Sequence, residues 1–415
     1  VESAIAPRLV PPRITPPAQP LKGLAFMVMF VRNPIAVVPQ AAYDGDLVAA
    51  MRGRTPIVWI TAPAMIKQVL LDEREKFLKL AQIRLLSPLL GKGILTSEGA
   101  DWKWQRQASA PMFRPQELSG FVPTFVRAAE GVVERWRAQP GAVQAIDRDM
   151  TDATFEVIAA TLLPSADASM PQAVERSTRL FQRSGAWGQL YAVANLPKWL
   201  PQPGRPSMAR AVGALRAAVA ALITERRAQP EAKDDLLHRL MQARDPETGQ
   251  SMNDGQLVDN LLTFYLAGHE TTAKALTWTL YLLARSPQWT RALEEEIARV
   301  TGGVQVHAEH IDKLVLTQQV LKESMRLYPP VPMMTRQAVA ATRLGDHPIR
   351  AGTSVVMPIY AIHRHAKRWA DADAFDPARF APEKEAAIPR YQYMPFGAGP
   401  RICIGAGFAM MEATA

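Results

Sequence analysis

One stretch limits what this chain can fold into more than any other. From near Asn253 to Ser286, just before Pro287, about 34 residues run without a proline, which as a helix is roughly 50 Å long. Its middle, Leu261 to Gly268, is apolar on nearly every side and is predicted to be buried rather than amphipathic. Asp259, Asn260, His269, Glu270 and Lys274 interrupt the apolar run, so it is not a membrane span. The fold must enclose a long helix that carries polar groups halfway along.

The remaining chain can supply that enclosure. Hydrophobic residues are 48% of the 415, enough for a large core in one α-rich domain. Helical patterning covers about Gln116 to Gln242, broken by a loop rich in Pro, Gly and Trp from Gly185 to Pro206, and resumes at Gln288 to Val300 and Asp312 to Leu327. Strand signals lie elsewhere. Arg52-Gly53 marks a turn, Pro56-Ile-Val-Trp-Ile60 has strand composition, and Pro63 suits the first turn of a helix. Residues 336 to 362 read as strands around Arg350-Ala-Gly-Thr353, and 371 to 400 have little periodicity. A proline-rich arm over residues 7 to 20 is expected to be extended without regular structure. The expected organisation is an arm, 1–20, and one domain, 21–415, mainly α with small β-sheets.

A single cysteine excludes an intrachain disulfide framework and fits a reducing compartment. Leu24 to Val31, the longest early apolar stretch, is far below the roughly 20 residues of a span. No signal-peptide pattern opens the sequence, and a cytoplasmic location without a membrane anchor is expected. The formal charge is +9, but the basic residues are spread and form no five-residue run. That argues against nucleic acid and leaves an acidic protein partner as the alternative.

The strongest chemical signal is Phe396-Gly-Ala-Gly-Pro-Arg-Ile-Cys-Ile-Gly405. A lone cysteine is usually a small buried hydrophobe. Here Gly397 and Gly399 permit backbone angles that let a loop fold under a flat ligand, and Gly405 permits close approach. An apolar helix begins beyond Cys403, and its positive end would stabilise a thiolate. Arg401 can reach an anionic group on a bound cofactor. This segment resembles the haem-binding signature of the cytochrome P-450 family, Phe-x-x-Gly-x-Arg-x-Cys-x-Gly, with all five fixed positions matched by Phe396, Gly399, Arg401, Cys403 and Gly405.

Three further motifs carry the same resemblance. Glu323-Ser-Met-Arg326 matches the Glu-x-x-Arg pair that meets an Arg from a Pro-Ala-Arg-Phe segment, here Arg379, and implies a structural role. Ala267-Gly268-His-Glu-Thr-Thr272 lies midway along the long helix. The glycine beside two threonines invites a local widening of that helix. By resemblance, Thr271 would donate a hydrogen bond to the oxygen being activated, and Glu270 would relay protons to it. His269 fills a variable slot and is expected to have no catalytic part. Trp102-Lys-Trp-Gln-Arg106 matches the Trp-x-x-x-Arg pair that binds a haem propionate, and Arg336 falls where relatives place another propionate ligand. Lys103 and Arg114 read as surface cations.

The resemblance covers about residues 40 to 415. It implies the family's triangular-prism fold, with haem b (iron protoporphyrin IX) ligated by Cys403. The implied enzyme is a monooxygenase inserting one atom of O2 into an apolar small molecule. No flavin or nicotinamide domain is recognisable, so a separate ferredoxin-type electron donor is expected, with the enzyme a monomer. A haem-thiolate peroxygenase or isomerase, or a non-catalytic haem-binding protein, is the alternative. Family members continue for several tens of residues past the position of Ala415, so the end of a helix and a hairpin at the substrate pocket are expected beyond this sequence. Ile83 to Ser97 and Gly185 to Pro206 are expected to line the pocket entrance, with Leu85, Leu86, Leu89, Leu90, Ile94, Trp187, Tyr191 and Trp199 suggesting an apolar guest. No nucleophile elbow or P-loop is present. His363-x-His365 and His307-x-x-His310 lack the neighbouring acids of a metal site.

Overall fold

A computed structural model describes residues 8–52, 55–162, 188, 191, 205–228, 236–245 and 247–415. In chain order its α-helices of five or more residues are α1 (Gly23–Arg32), α2 (Pro63–Lys67), α3 (Leu80–Leu90), α4 (Gly99–Ser109), α5 (Val122–Arg137), α6 (Ile146–Leu162), α7 (Arg205–Ala228), α8 (Leu236–Gln242), α9 (Asp254–Ala284), α10 (Pro287–Thr301), α11 (Val315–Leu327) and α12 (Ala406–Thr414). The strands are β1 (Leu47–Arg52), β2 (Thr55–Ile60), β3 (Phe77–Leu78), β4 (Met334–Ala338), β5 (Thr342–Leu344), β6 (His347–Ile349) and β7 (Ser354–Met357). The chain divides into two compact units. One comprises Val1–Leu78, Val143–Met150 and Thr271–Ala415, the other Lys79–Ala142 and Thr151–Glu270.

The first unit holds both sheets. Its five-stranded sheet has the order β1-β2-β7-β4-β3, and β5 and β6 form a separate hairpin. β1 and β2 are antiparallel with Leu47 opposite Ile60. β2 runs parallel to β7 with Ile57 opposite Ser354, and β4 is antiparallel to β7 with Arg336 opposite Val355. The two-residue period of a strand sends Val58 and Ile60 into one core with Ile66, Val69, Leu70 and Met357. Ile57 and Trp59 enter another, with Val38, Ala42 and Tyr360. Both faces of β2 are thus buried, as its nearly continuous apolar composition requires.

From residue 8 the arm contains no helix or strand before α1. It is fastened by single bonds along its length. Tyr328 Oη donates to the Pro12 carbonyl at 2.6 Å, Phe375 N to Leu9 O at 2.8 Å and Gln40 N to Pro17 O at 2.8 Å. Residues 359–362, expected as strand, form instead a helical turn. Pro358 precedes them and cannot donate to a ladder.

The second unit is helical. In α7 the buried residues Ala211, Val212, Leu215, Val219, Leu222 and Ile223 recur at three- and four-residue spacing, a stripe for packing. Among the described residues, Pro206–Ala228 is the one helix long and apolar enough to cross a membrane. The start of α7 at Arg205 trims the expected Gly185 to Pro206 loop. Apart from residues 188, 191, 205 and 206, that loop lies outside the described residues, and with it Trp187 and Trp199.

The long helix, α9, runs within two residues of its expected bounds. The polar groups near its start are satisfied by the segment after α3. Asp259 accepts from Lys92 N at 2.7 Å and from Arg216 at 2.6 Å. Asn260 accepts from Ile94 N at 2.9 Å and donates to Gln105 of α4 at 2.9 Å. The expected widening near Gly268 does not occur, since residues 254–284 are α-helical throughout.

Candidate active site

Cys403 lies two residues ahead of the Gly405 N-cap of α12. Its loop is closed on itself, with Cys403 N donating to Phe396 O at 2.9 Å, Ile402 N to Gly399 O at 3.1 Å and Gly397 N to Met394 O at 3.0 Å. Gly399 has φ +71°, and a Cβ there would stand 2.7 Å from the Leu70 carbonyl oxygen, so only glycine fits. Met334 of β4 reaches Gly397 on another side. Arg336 lies two residues further on the same face of that strand, buried, with one guanidinium nitrogen on the Thr335 carbonyl at 2.8 Å. Inside this wedged loop the Cys403 thiol is exposed, and so is Ile402, at 42%. Arg401 lies in the single turn Gly399–Arg401.

Glu323 and Arg326 are wholly buried one turn apart on α11. Arg326 Nε and Nη2 grip the two carboxylate oxygens at 2.7 and 2.8 Å, the forked geometry that suits guanidinium and carboxylate. Arg379 Nε stands 3.5 Å from the same carboxylate, and Asp376 N donates to it at 2.9 Å. The remaining Arg326 protons go to the carbonyls of His363, Ala372 and Ala374 at 2.8, 2.7 and 3.0 Å. The structure thus brings all three residues of the expected cluster together.

Thr271 belongs to the first unit, while Ala267, Gly268 and Glu270, the rest of its motif on α9, belong to the second. Leu261 to Tyr265 are buried, whereas Ala267 is exposed and Glu270 and Thr271 are half-buried. A buried helix thus opens at its smallest residues. A Cβ on Gly268 would meet Ile158 Cδ1 at 2.6 Å. His269 is buried, its Nδ1 3.0 Å from the Tyr265 carbonyl and its ring edge-on to Phe155. Burial lowers its pKa, opposed by the Tyr265 bond. Thr154 Oγ1 donates to the His269 carbonyl at 2.9 Å. Trp102 and Arg106, also in the second unit, sit one turn apart on α4 around buried Gln105. Of the apolar residues expected at the pocket entrance, Leu89, Leu90 and Ile94 are buried and Leu85 and Leu86 half-buried. Tyr191 is half-buried and helical.

One residue was not singled out from sequence. Glu412 on α12 is buried. Burial pushes its carboxyl pKa up to about 8, opposed by the Thr272 hydroxyl, which lies near it but outside strict hydrogen-bond geometry. Nothing in the spacing of an apolar helix announces such a contact.

The donor set fits a haem. A soft sulfur ligand is presented exposed beside an exposed aliphatic side chain, on a loop whose backbone cannot yield at Gly399. The profile of the family described as Cytochrome P450 matches residues 15–415. Cyclooctatin synthase of Streptomyces melanosporofaciens is 31% identical over 409 residues, 97% of this chain and 87% of that protein. Pentalenene oxygenase of Streptomyces avermitilis is 30% identical over 404 residues, covering 96% and 88%. The crystal structure of cytochrome P450DA heme domain matches with a TM-score of 0.82 at 25% identity, covering 97% of this chain and 90% of that one. Fold and relatives together define a haem-dependent oxidoreductase. The chain belongs to the cytochrome P450 family, with iron protoporphyrin IX as prosthetic group and monooxygenation, using O2, an organic substrate and a redox partner, as its reaction type.

Proposed function

We propose that this P450 hydroxylates an apolar carbon skeleton, drawing electrons from a ferredoxin-type protein, and that the Cys403 sulfur would hold the haem iron. The observation that carries the reading is the exposed thiol on the wedged Phe396–Gly405 loop. When bound, the haem supplies the oxidising chemistry, its thiolate ligand favouring O–O cleavage as is general for P450s. The protein binds, orients and manages protons. Cys403 holds its thiolate near the positive end of α12. Arg336, Arg401, Trp102 and Arg106 would hold the propionates and Phe396, Gly397, Gly399 and Gly405 would shape the thiol loop, while Ala267 and Gly268 are assigned to the cofactor by the family motif they match. Thr271 Oγ1 presents a hydrogen bond towards the reacting oxygen, and the Glu270 carboxyl passes protons from solvent. Glu323, Arg326 and Arg379 form the scaffold beneath the loop.

For the substrate, support comes from the relatives. Cyclooctat-9-en-7-ol 5-monooxygenase of Streptomyces melanosporofaciens is 30% identical over 383 residues. Its name and that of pentalenene oxygenase denote unsaturated carbon skeletons carrying at most one hydroxyl. The net charge of +9 favours an acidic electron donor. The enzyme acts as a cytoplasmic monomer and binds no nucleic acid.

The test is the absorption spectrum of the reduced, carbon-monoxide-bound protein beside Cys403→His. A strongly red-shifted Soret band, lost in the variant, is expected. A wild-type band at the ordinary haem-protein position would refute thiolate ligation.

A further inference from the structure

We infer that His363 is a positioning residue for the thiol loop, a neutral strut tying the chain that enters the loop to the Glu323–Arg326 pair. The inference rests on the haem-thiolate reading above. His363 is completely buried at the end of the turn Ile359–Ile362. Its two ends are engaged in opposite directions. Its carbonyl accepts from Arg326 Nη1 at 2.8 Å, and its Nε2 accepts from Met394 N at 2.9 Å. The ring lies against Tyr393, with centroids 5.1 Å apart and planes at 31°.

Met394 is two residues from Phe396. Its carbonyl accepts from Gly397 N at 3.0 Å, and the Phe396 carbonyl accepts from Cys403 N at 2.9 Å. A continuous route therefore leads from the buried ion pair through the imidazole into the backbone that fixes the cysteine. A parallel contact, Tyr393 Oη to the Lys322 carbonyl at 2.9 Å, holds the same segment to α11 but ends one residue short of Met394.

The chemistry of the position selects histidine. An acceptor is needed at the far tip of a flat ring, and lysine and arginine have none. Acceptance at Nε2 puts the proton on Nδ1, which faces the Met325 and Arg326 backbone without a partner in strict hydrogen-bond geometry. Burial first, then the charges of Arg326 and Arg364, push the ring pKa down to about 3, so the acceptor stays available at any working pH. Removing it leaves the N–H of a buried residue unsatisfied.

Two variants separate positioning from filling space. His363→Phe keeps a ring against Tyr393 and removes the acceptor, whereas His363→Gln keeps an acceptor and loses the ring. Conversion of the carbon-monoxide complex from the red-shifted to the ordinary band is timed in urea while far-UV circular dichroism follows helix content. The Phe variant is expected to convert at least tenfold faster than wild type while its helix content is still native, and the Gln variant within threefold of wild type. A Phe variant that converts at the wild-type rate, or Phe and Gln variants accelerated alike, overturns the inference. Should the Phe variant not accumulate, nitrogen-15 spectra of the histidine-labelled wild-type holoenzyme decide. Protonation at Nδ1 with Nε2 bare supports the strut, and protonation at Nε2 overturns it. A wild type lacking the red-shifted band fails the haem-thiolate reading, whereas a normal wild-type band with an unaffected Phe variant fails only the strut.

Discussion

Glu323 and Glu412 are carboxyl groups of nearly equal depth, 0% and 8% exposed, on helices α11 and α12 that pack together. Their surroundings could hardly differ more. Glu323 receives a forked guanidinium, a backbone N–H and a second arginine. Glu412 has the Thr272 hydroxyl, and burial pushes its pKa up to about 8. Equal depth does not bring equal surroundings, and an acid buried without donors or opposite charge has its charged form disfavoured. The well-supplied carboxylate organises a scaffold around itself, while the poorly supplied one keeps its proton.

The hardest way to break this contrast is to strip Glu323 of its main partner. Arg326→Ala is expected to destabilise the protein by about 3–5 kcal/mol, the usual cost of leaving one buried charge unpaired. It also deprives three backbone carbonyls of their donor. Denaturant unfolding with parallel measurement of haem content checks this. A loss below about 1 kcal/mol would mean that the cluster relaxes into water and that its burial does not matter.

The contrast also shows what a sequence displays. Glu323 and Arg326 were legible because both lie on one helix at a spacing that forces them together. The turn that carries Cys403 was legible because it needs glycines at fixed offsets, and the long α9 because its apolar run leaves no other fold for it. Glu412 was illegible, since its partner Thr272 lies far away in the chain and only packing brings them near. His363 reads in sequence as half of a His-x-His pair, but its ring turns inward to Met394 N, a backbone group that carries no side-chain signal. The turn at 359–362 was misread as strand because Ile-Tyr-Ala-Ile has strand composition, and the proline ahead of it decided the outcome.

A second test sharpens the contrast from the other acid. The folded-state pKa of Glu412 is raised from 4.5 to about 8, so between those values the folded chain holds a proton that the unfolded chain has released. Stability therefore falls as pH rises through that window. Glu412→Gln removes the titration and is nearly isosteric. The variant is expected to gain on wild type from pH 4.5 upward by at most about 1.4 kcal/mol per pH unit, reaching about 2 kcal/mol by pH 6 and levelling off above pH 8. Urea midpoints for both proteins at pH 5, 6, 7 and 8.5 provide the check. A pH-independent difference would mean that Glu412 is ionised in the fold and has found a partner after all.

The smallest effect should come from the third member of the Glu323 cluster. Arg379 stands 3.5 Å from the carboxylate, and its side chain is 12% exposed against 0% for Arg326. One of its terminal nitrogens donates to the Asp371 carbonyl at 2.9 Å, so it is partly committed elsewhere. Arg379→Ala leaves Glu323 with its forked partner and the Asp376 N–H, and water can reach part of the vacated space. The expected loss is about 1–2 kcal/mol by urea unfolding, within the range for one hydrogen-bonded or partly screened ion pair. Made on the Arg326→Ala background, the same change should cost more, because Arg379 is then the only guanidinium on a fully buried charge. Equal losses on both backgrounds would mean that Arg379 acts through the Asp371 carbonyl, and that Glu323 is in effect served by one arginine.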